Sequence, residues 1–187
     1  MNENTEQQAP QEKQPKQSSE ALDWLYSVVT AIVIAILLCS FIIRPITVIG
    51  SSMVPTLEER DMLLVSKLFY HPKYGDIVIL RKTSLMDNFI VKRVIATEGQ
   101  TVDIDFIEGV VYVDGAALDE PYVNALTFEP EDFTEPVTVP EGCVFVMGDN
   151  RNRSTDSRDA RLGCVDERLI IGKALFRIKP LNKSGRI

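Results

Sequence analysis

Two residues of this chain have the types and settings for nucleophilic chemistry. Ser52 lies in Gly50-Ser51-Ser52-Met53-Val54-Pro55-Thr56-Leu57, and Lys92 lies in the strand-like Val91-Lys92-Arg93-Val94-Ile95. A serine hydroxyl attacks a carbonyl only when a neighbouring base takes its proton. Histidine is the usual base, but the chain has a single one, His71, in a turn-like stretch before Pro72. Lysine can serve only when neutral, which requires burial to lower a pKa of about 10.4 by several units. Strand alternation sets Ile90, Lys92 and Val94 on one face and Val91, Arg93 and Ile95 on the other, so Lys92 has apolar neighbours. Arg93 cannot replace it, because a guanidinium stays charged. Taken singly, a lysine in a strand more often faces solvent and a serine before Met-x-Pro more often marks a turn. The pair gains its meaning from the rest of the chain.

The first element that must position the pair is a membrane segment. Trp24 to Ile43 contains no Asp, Glu, Lys or Arg, and at about 1.5 Å per residue it matches the roughly 30 Å of a hydrocarbon core. A cleaved secretory signal would need a basic leading region, a shorter apolar stretch and an Ala-x-Ala-like exit, and all three are missing. Cys39 does not read as a lipoprotein cysteine, since bulky Leu38 stands where a small residue is expected. Trp24, Tyr26 and Arg44 read as interfacial anchors, whereas Lys13 and Lys16 against Arg44 leave the orientation open. The short link from Ile43 to Ser52 spans at most about 30 Å when extended. The serine should therefore work close to the bilayer, which suggests a serine-lysine hydrolase at a membrane surface.

The expected organisation is a disordered tail over 1–20, a transmembrane helix over 21–44 and a β-rich domain over 45–187, with Ser18 or Ser19 as the helix N-cap. Short β-type runs are predicted at Ile46 to Ile49, Met62 to Val65, Asp76 to Leu80, Phe89 to Ala96, Thr101 to Phe106, Val110 to Val113, Val144 to Met147 and Leu169 to Ile178. Turns at Glu108-Gly109 and Asp114-Gly115, with a surface loop over Phe128 to Pro136, make the fold class mainly β and antiparallel. The formal net charge of −7 favours no polyanionic partner, so nucleic acid is not expected. Cys39 falls in the membrane segment, and Cys143 and Cys164 are expected to stay unpaired.

At this point the chain closely resembles the bacterial type I signal peptidases, membrane-bound serine proteases with a Ser-Lys dyad. The resemblance runs from about Ala21 onward and rests on Ser52 to Leu57, Gly75 to Val78, Lys92 to Ile95 and above all Gly148 to Arg158. That last block, Gly-Asp-Asn-Arg-Asn-Arg-Ser-Thr-Asp-Ser-Arg, fits the family pattern at every defined position. Read without the family, it could pass for a nucleic-acid patch or a calcium loop. The stretch from Asp149 to Arg161 nets only +1, however, and Arg151 and Arg153 occupy positions where calcium needs oxygen donors. After Lys92 the turn Ala96-Thr97-Glu98-Gly99-Gln100 departs from the usual family turn. The short chain resembles the compact form typical of Gram-positive bacteria.

The resemblance implies that Ser52 is the nucleophile and Lys92 the general base. It implies an oxyanion donor at the Ser52 N–H, with Gly50 where some relatives offer a serine hydroxyl. Ser154 would orient the lysine, and Asp149, Asp156 and Arg158 would support the site. Val48, Met53, Leu57 and Val91 flank the dyad motifs and are expected to line a shallow apolar pocket or, equally, the core. The implied substrates are signal peptides of exported preproteins, cut after small residues at positions −1 and −3. The implied setting is a single-pass protein of the cell membrane with an extracytoplasmic catalytic domain, in contact with the lipid bilayer and near the secretion translocon. No metal or cofactor is implied. The alternatives are a dedicated pilin- or fibre-maturation peptidase and a non-catalytic assembly factor of the same fold.

Overall fold

The computed structural model describes residues 17–82 and 88–187, without the side chains of residues 17–19 and 38–42. Of the disordered tail expected over 1–20, residues 1–16 lie outside the described residues and 17–20 are helical instead. The chain divides into two compact units, Met1–Ser40 and Phe41–Ile187.

The first unit is built on a long helix, α1 (Gln17–Ile42). Its window Glu20–Leu37 has a mean hydropathy of 1.8 and is long and apolar enough to cross a membrane. Trp24 and Tyr26 stand exposed, as do Leu22, Ile32 and Leu37, and no residue of that window is buried. Ser18 and Ser19 lie inside the helix, which already includes Gln17, so neither is its N-cap.

The second unit is antiparallel β. Its strands are β1 (Ile43–Thr47), β2 (Met62–Ser66), β3 (Ile77–Leu80), β4 (Ile90–Thr97), β5 (Thr101–Asp105), β6 (Val110–Val113), β7 (Ala116–Ala117), β8 (Val137–Thr138), β9 (Cys143–Met147), β10 (Val165–Asp166), β11 (Ile170–Lys179) and β12 (Gly185–Arg186). The larger sheet has the order β1-β2-β11-β3-β4-β9-β10, with β12 on β11, and the smaller one the order β7-β6-β5-β8. The helix gives way to strand earlier than the apolar run suggests. Pro45 bars its predecessor Arg44 from helical dihedrals, and Ile43 and Arg44 pair instead with Ser66 and Val65.

Strand β4 lies in the middle of the larger sheet and is buried on both faces from Ile90 to Ala96. On one side, Val91 joins a core of Ile46, Val48, Met53, Leu57, Leu63 and Ile79. Ile90 and Val94 join a second core with Val78, Val144, Val146 and Leu162. A bulge between Val94 and Ala96 re-registers β4 against β9, and Ile95 and Ala96 reach a third core with Val102, Val111 and Phe145. Asp114-Gly115, both at positive φ, reverses the chain between β6 and β7 as the sequence predicts. The loop over Phe128 to Pro136 is exposed in most of its residues, but Phe133 is not: its ring is buried edge-to-face against Phe106 and Phe145. One aromatic in an acidic, proline-broken stretch gave no periodic signal of that anchoring role. Cys143 and Cys164 are free thiols packed against the same core.

Candidate active site

The structure brings the two sequence-predicted reactive residues into contact. Lys92 Nζ donates to Ser52 Oγ at 2.8 Å. Ser52 sits in the turn after β1, where the Leu57 N–H bonds to the Met53 carbonyl and Val54 N–H to the Ser51 carbonyl. Gly50, at φ +84°, supplies a left-handed residue before it, with open space where a side chain would stand. No bond from the Ser52 N–H is found among the described residues.

Lys92 is only 3% exposed. Burial lowers its pKa to about 8, against the opposing pull of the Asp156, Glu131 and Asp149 carboxylates and with help from the Arg158 charge. No carboxylate bonds to the amine among the described residues. Glu131, on the loop after Phe128, is itself pushed up to about 7, first by burial and then by the negative charge of Asp156.

The Gly148 to Arg158 block closes over this pair. Asn150 clamps the Ser52 turn, its N–H bonding to the Ser52 carbonyl at 3.0 Å and its side-chain amide to the Ser51 carbonyl at 3.1 Å. A Cβ at Gly148 would lie 2.2 Å from Ser154 Oγ and 2.5 Å from the Ser52 carbonyl oxygen, so only glycine allows this approach. Asp156 accepts from the Gly148 N–H at 3.0 Å and binds Arg158 through both oxygens at 2.9 Å, with both side chains fully buried. Arg158 also donates to the carbonyls of Glu129 and Arg151 at 2.6 Å each. Ser154 is buried here, and its hydroxyl has no hydrogen-bond partner among the described residues. The expected bond to Lys92 is thus not made.

The chain matches the family described as Signal peptidase, peptidase S26, over residues 21–179. The chain belongs to this signal peptidase family. Among its relatives, a probable signal peptidase I-1 of Synechocystis sp. is 42% identical over 84% of this chain and 82% of its own. A signal peptidase I of Bacillus licheniformis is 36% identical over 92% and 96%, and signal peptidase I T of Bacillus subtilis 37% identical over 97% and 95%. The family is one of serine proteases, and signal peptidase I acts on preprotein signal peptides at the membrane.

Several residues of this signal peptidase site are not evident from sequence. Arg93, set aside as a base, is buried and chelates Asp149 at 2.8 and 2.7 Å. Thr56, inside the Ser52 motif, bonds to the same carboxylate, and the guanidinium lies 4.0 Å from the centroid of the Tyr122 ring. Arg151 chelates Glu120 at 2.7 and 2.6 Å and also donates to Thr127. The only sequence signal for this layer was the Asp149 match, because its partners lie 56 and 93 positions away.

A cleft of about 220 Å³ opens beside the dyad, lined by Ile49, Gly50, Ser51, Ser52, Phe89, Ile90, Val91, Lys92, Arg153 and Thr155. Of the four residues expected to line a pocket or, equally, the core, all four are buried in one core cluster, and Val91 also lines this cleft. Ile49 and Phe89 supply apolar walls that the motifs did not single out. Among the described residues no cluster of His, Cys, Asp or Glu is arranged to hold a metal ion.

Proposed function

We propose that this signal peptidase works through a Ser52-Lys92 dyad. The observation that carries the reading is the 2.8 Å contact between Ser52 Oγ and a buried amine whose pKa burial has lowered to about 8. Neutral Lys92 takes the Ser52 proton as Oγ bonds to the scissile carbonyl carbon, and the carbonyl π electrons move to oxygen. The unengaged Ser52 N–H meets that oxyanion. Collapse expels the amine of the mature protein, which takes the proton from the Lys92 ammonium and leaves the signal peptide as an acyl ester on Ser52. Water then gives a proton to Lys92 and adds to the ester. Ser52 leaves as the acid forms and recovers its hydrogen from the lysine. Ser154, buried and unpartnered, is a positioning residue whose hydroxyl turns to the amine during this cycle. Gly50 offers no side-chain donor, so the oxyanion relies on backbone N–H groups.

The 220 Å³ cleft takes the small side chains that precede the cleavage point, with Val91 at its surface and Val48, Met53 and Leu57 backing its wall. Asp149, Asp156 and Arg158 hold the block that covers the dyad. The unburied apolar helix supports a single membrane span with residues 1–20 cytoplasmic, the β unit extracytoplasmic and the secretion translocon nearby. The test is cleavage of an authentic preprotein by the detergent-solubilised wild type and by Ser52→Ala. The wild type should release the mature protein and the variant should not; equal cleavage by both would sink the assignment.

A further inference from the structure

A second cleft, of about 420 Å³, lies away from the dyad and carries an unusual concentration of positive charge for a chain whose formal net charge is −7. Arg44, Lys67 and Arg168 surround it, over a floor that includes Val65, Ile170 and Ile171. Arg44 and Lys67 have no ion-pair or hydrogen-bond partner for their side chains among the described residues. Arg168 is held by Asp166 through both carboxylate oxygens, which leaves it partly neutralised, and Glu167 adds a negative charge nearby, against Tyr70. The cleft is therefore cationic through two free side chains and one pinned one.

The sheet register fixes which end of the β unit this is. Ile43, one residue past the last helical residue, pairs with Ser66, and Ser66 pairs with Lys173 near the start of β11. Arg44, Lys67 and the segment entering β11 therefore share the sheet end at which the chain arrives from α1. At the same end the turn after β2 exposes Leu68 (55%) and Phe69 (93%). Leu80 pairs with Ile170, which adds Arg81 and Lys82 to this end; Lys82 donates to the carbonyls of Arg161 and Leu162. Free cations around an apolar floor, next to exposed apolar tips and within a few residues of a membrane-length helix, complement one chemistry: an anionic headgroup joined to acyl chains.

We propose that the cleft of Arg44, Lys67 and Arg168 binds the phosphate of an anionic phospholipid, with Leu68 and Phe69 entering the acyl boundary beside it. The proposal rests on the reading of α1 as a membrane span and is independent of the dyad. A bound headgroup here anchors the β unit by a second point besides α1 and limits how it can tilt. Binding at a lipid-specific cleft predicts selectivity, which general membrane attachment does not.

The experiment is native mass spectrometry of the full chain in detergent with equimolar phosphatidylglycerol and phosphatidylcholine. The wild type should retain phosphatidylglycerol roughly 5- to 30-fold over phosphatidylcholine, at about fivefold per free cation. Arg44→Gln/Lys67→Gln should lose most of that preference, and inorganic phosphate at millimolar concentration should not displace the lipid. Equal retention of the two lipids by the wild type overturns the proposal, as does an undiminished preference in a folded double variant. Displacement by phosphate would make this a free-anion site and overturn it too. The wild-type comparison decides alone if the double variant misfolds. Retention is read by mass without any cleavage, so it stands apart from the outcome with Ser52→Ala.

Discussion

Lys92 and Arg158 are both buried, at 3% and 1% exposure, and their surroundings treat the charge in opposite ways. Arg158 is gripped by both oxygens of Asp156 and by two backbone carbonyls, so its charge is matched group by group. Arg93 on Asp149 and Arg151 on Glu120 repeat the arrangement. For Arg151 burial pulls the pKa down, yet the bonds and charge of Glu120 outweigh it and hold it above the ordinary guanidinium value. Lys92 is given a hydroxyl in place of a carboxylate. Burial with a chelating partner fixes a charge, whereas burial beside a neutral oxygen expels it. The same few residues thus hold a rigid ionic layer and a base that can be neutral.

The sharpest way to break this contrast is to put the charge-fixing chemistry in the dyad. Lys92→Arg should abolish preprotein cleavage, a loss of at least about 10³-fold, since guanidinium cannot become a neutral base. Substantial turnover by this variant at neutral pH would rule out Lys92 as the base. The converse change strips a partner from the ionic layer. Asp156→Ala leaves Arg158 buried and unmatched and frees the Gly148 N–H, so stability should fall by about 3–5 kcal/mol. Denaturant unfolding of the detergent-solubilised protein reads it, and an unchanged midpoint would mean the pair is not structural.

Ser154→Ala tests the boundary between the two environments. Removing a buried hydroxyl without a partner should leave melting close to wild type, while cleavage drops roughly 10- to 1000-fold if the hydroxyl orients the amine during turnover. Wild-type rates in this variant would remove Ser154 from the mechanism. The smallest effect expected is a gain. Lys92→Met removes a desolvated amine and should raise stability by about 1 kcal/mol or more, at roughly 2–4 °C per kcal/mol. The folded pKa, about 8, lies below the ordinary 10.5, so the unfolded chain binds more protons between those values. Wild-type stability therefore rises with pH across that window, and the advantage of the methionine should be full below about pH 8 and vanish by about 10.5. A variant that melts lower than wild type at pH 7 would contradict the desolvation argument.

How much of this was legible in the sequence follows the range of each interaction. Strands β2 to β6, β9 and β11 were visible because alternating or continuous apolar runs end at Gly, Pro and Asp, and their boundaries shift by no more than a residue, whereas the two-residue β7, β8 and β10 are too short to leave a run. Alternation also gave Lys92 its apolar neighbours, but it could not show that β4 is covered on both faces, which is why Arg93 read as a bystander. Asp149 was marked by its motif, yet its clamp is built from Thr56, Arg93 and Tyr122, which no local pattern joins. The choice between pocket wall and core stayed open for the same reason. Val48, Met53 and Leu57 flank the motif in sequence, but the turn of the chain after β1 carries them into the core and leaves Ile49 and Phe89 at the cleft.

The most direct test of the central claim, that desolvation makes Lys92 a neutral base, is the pH dependence of kcat/KM for a preprotein substrate. Glu131 titrates near 7 within reach of the lysine's charge, so the profile should be recorded in wild type and in Glu131→Gln. The account predicts that kcat/KM rises tenfold per pH unit on the acid side and levels off near pH 8 in wild type and at lower pH in Glu131→Gln, which lacks a carboxylate that opposes the effect of burial on the amine. An acid limb that runs on toward 10.5, the ordinary lysine value, or a profile flat from pH 6 to 9, would contradict it.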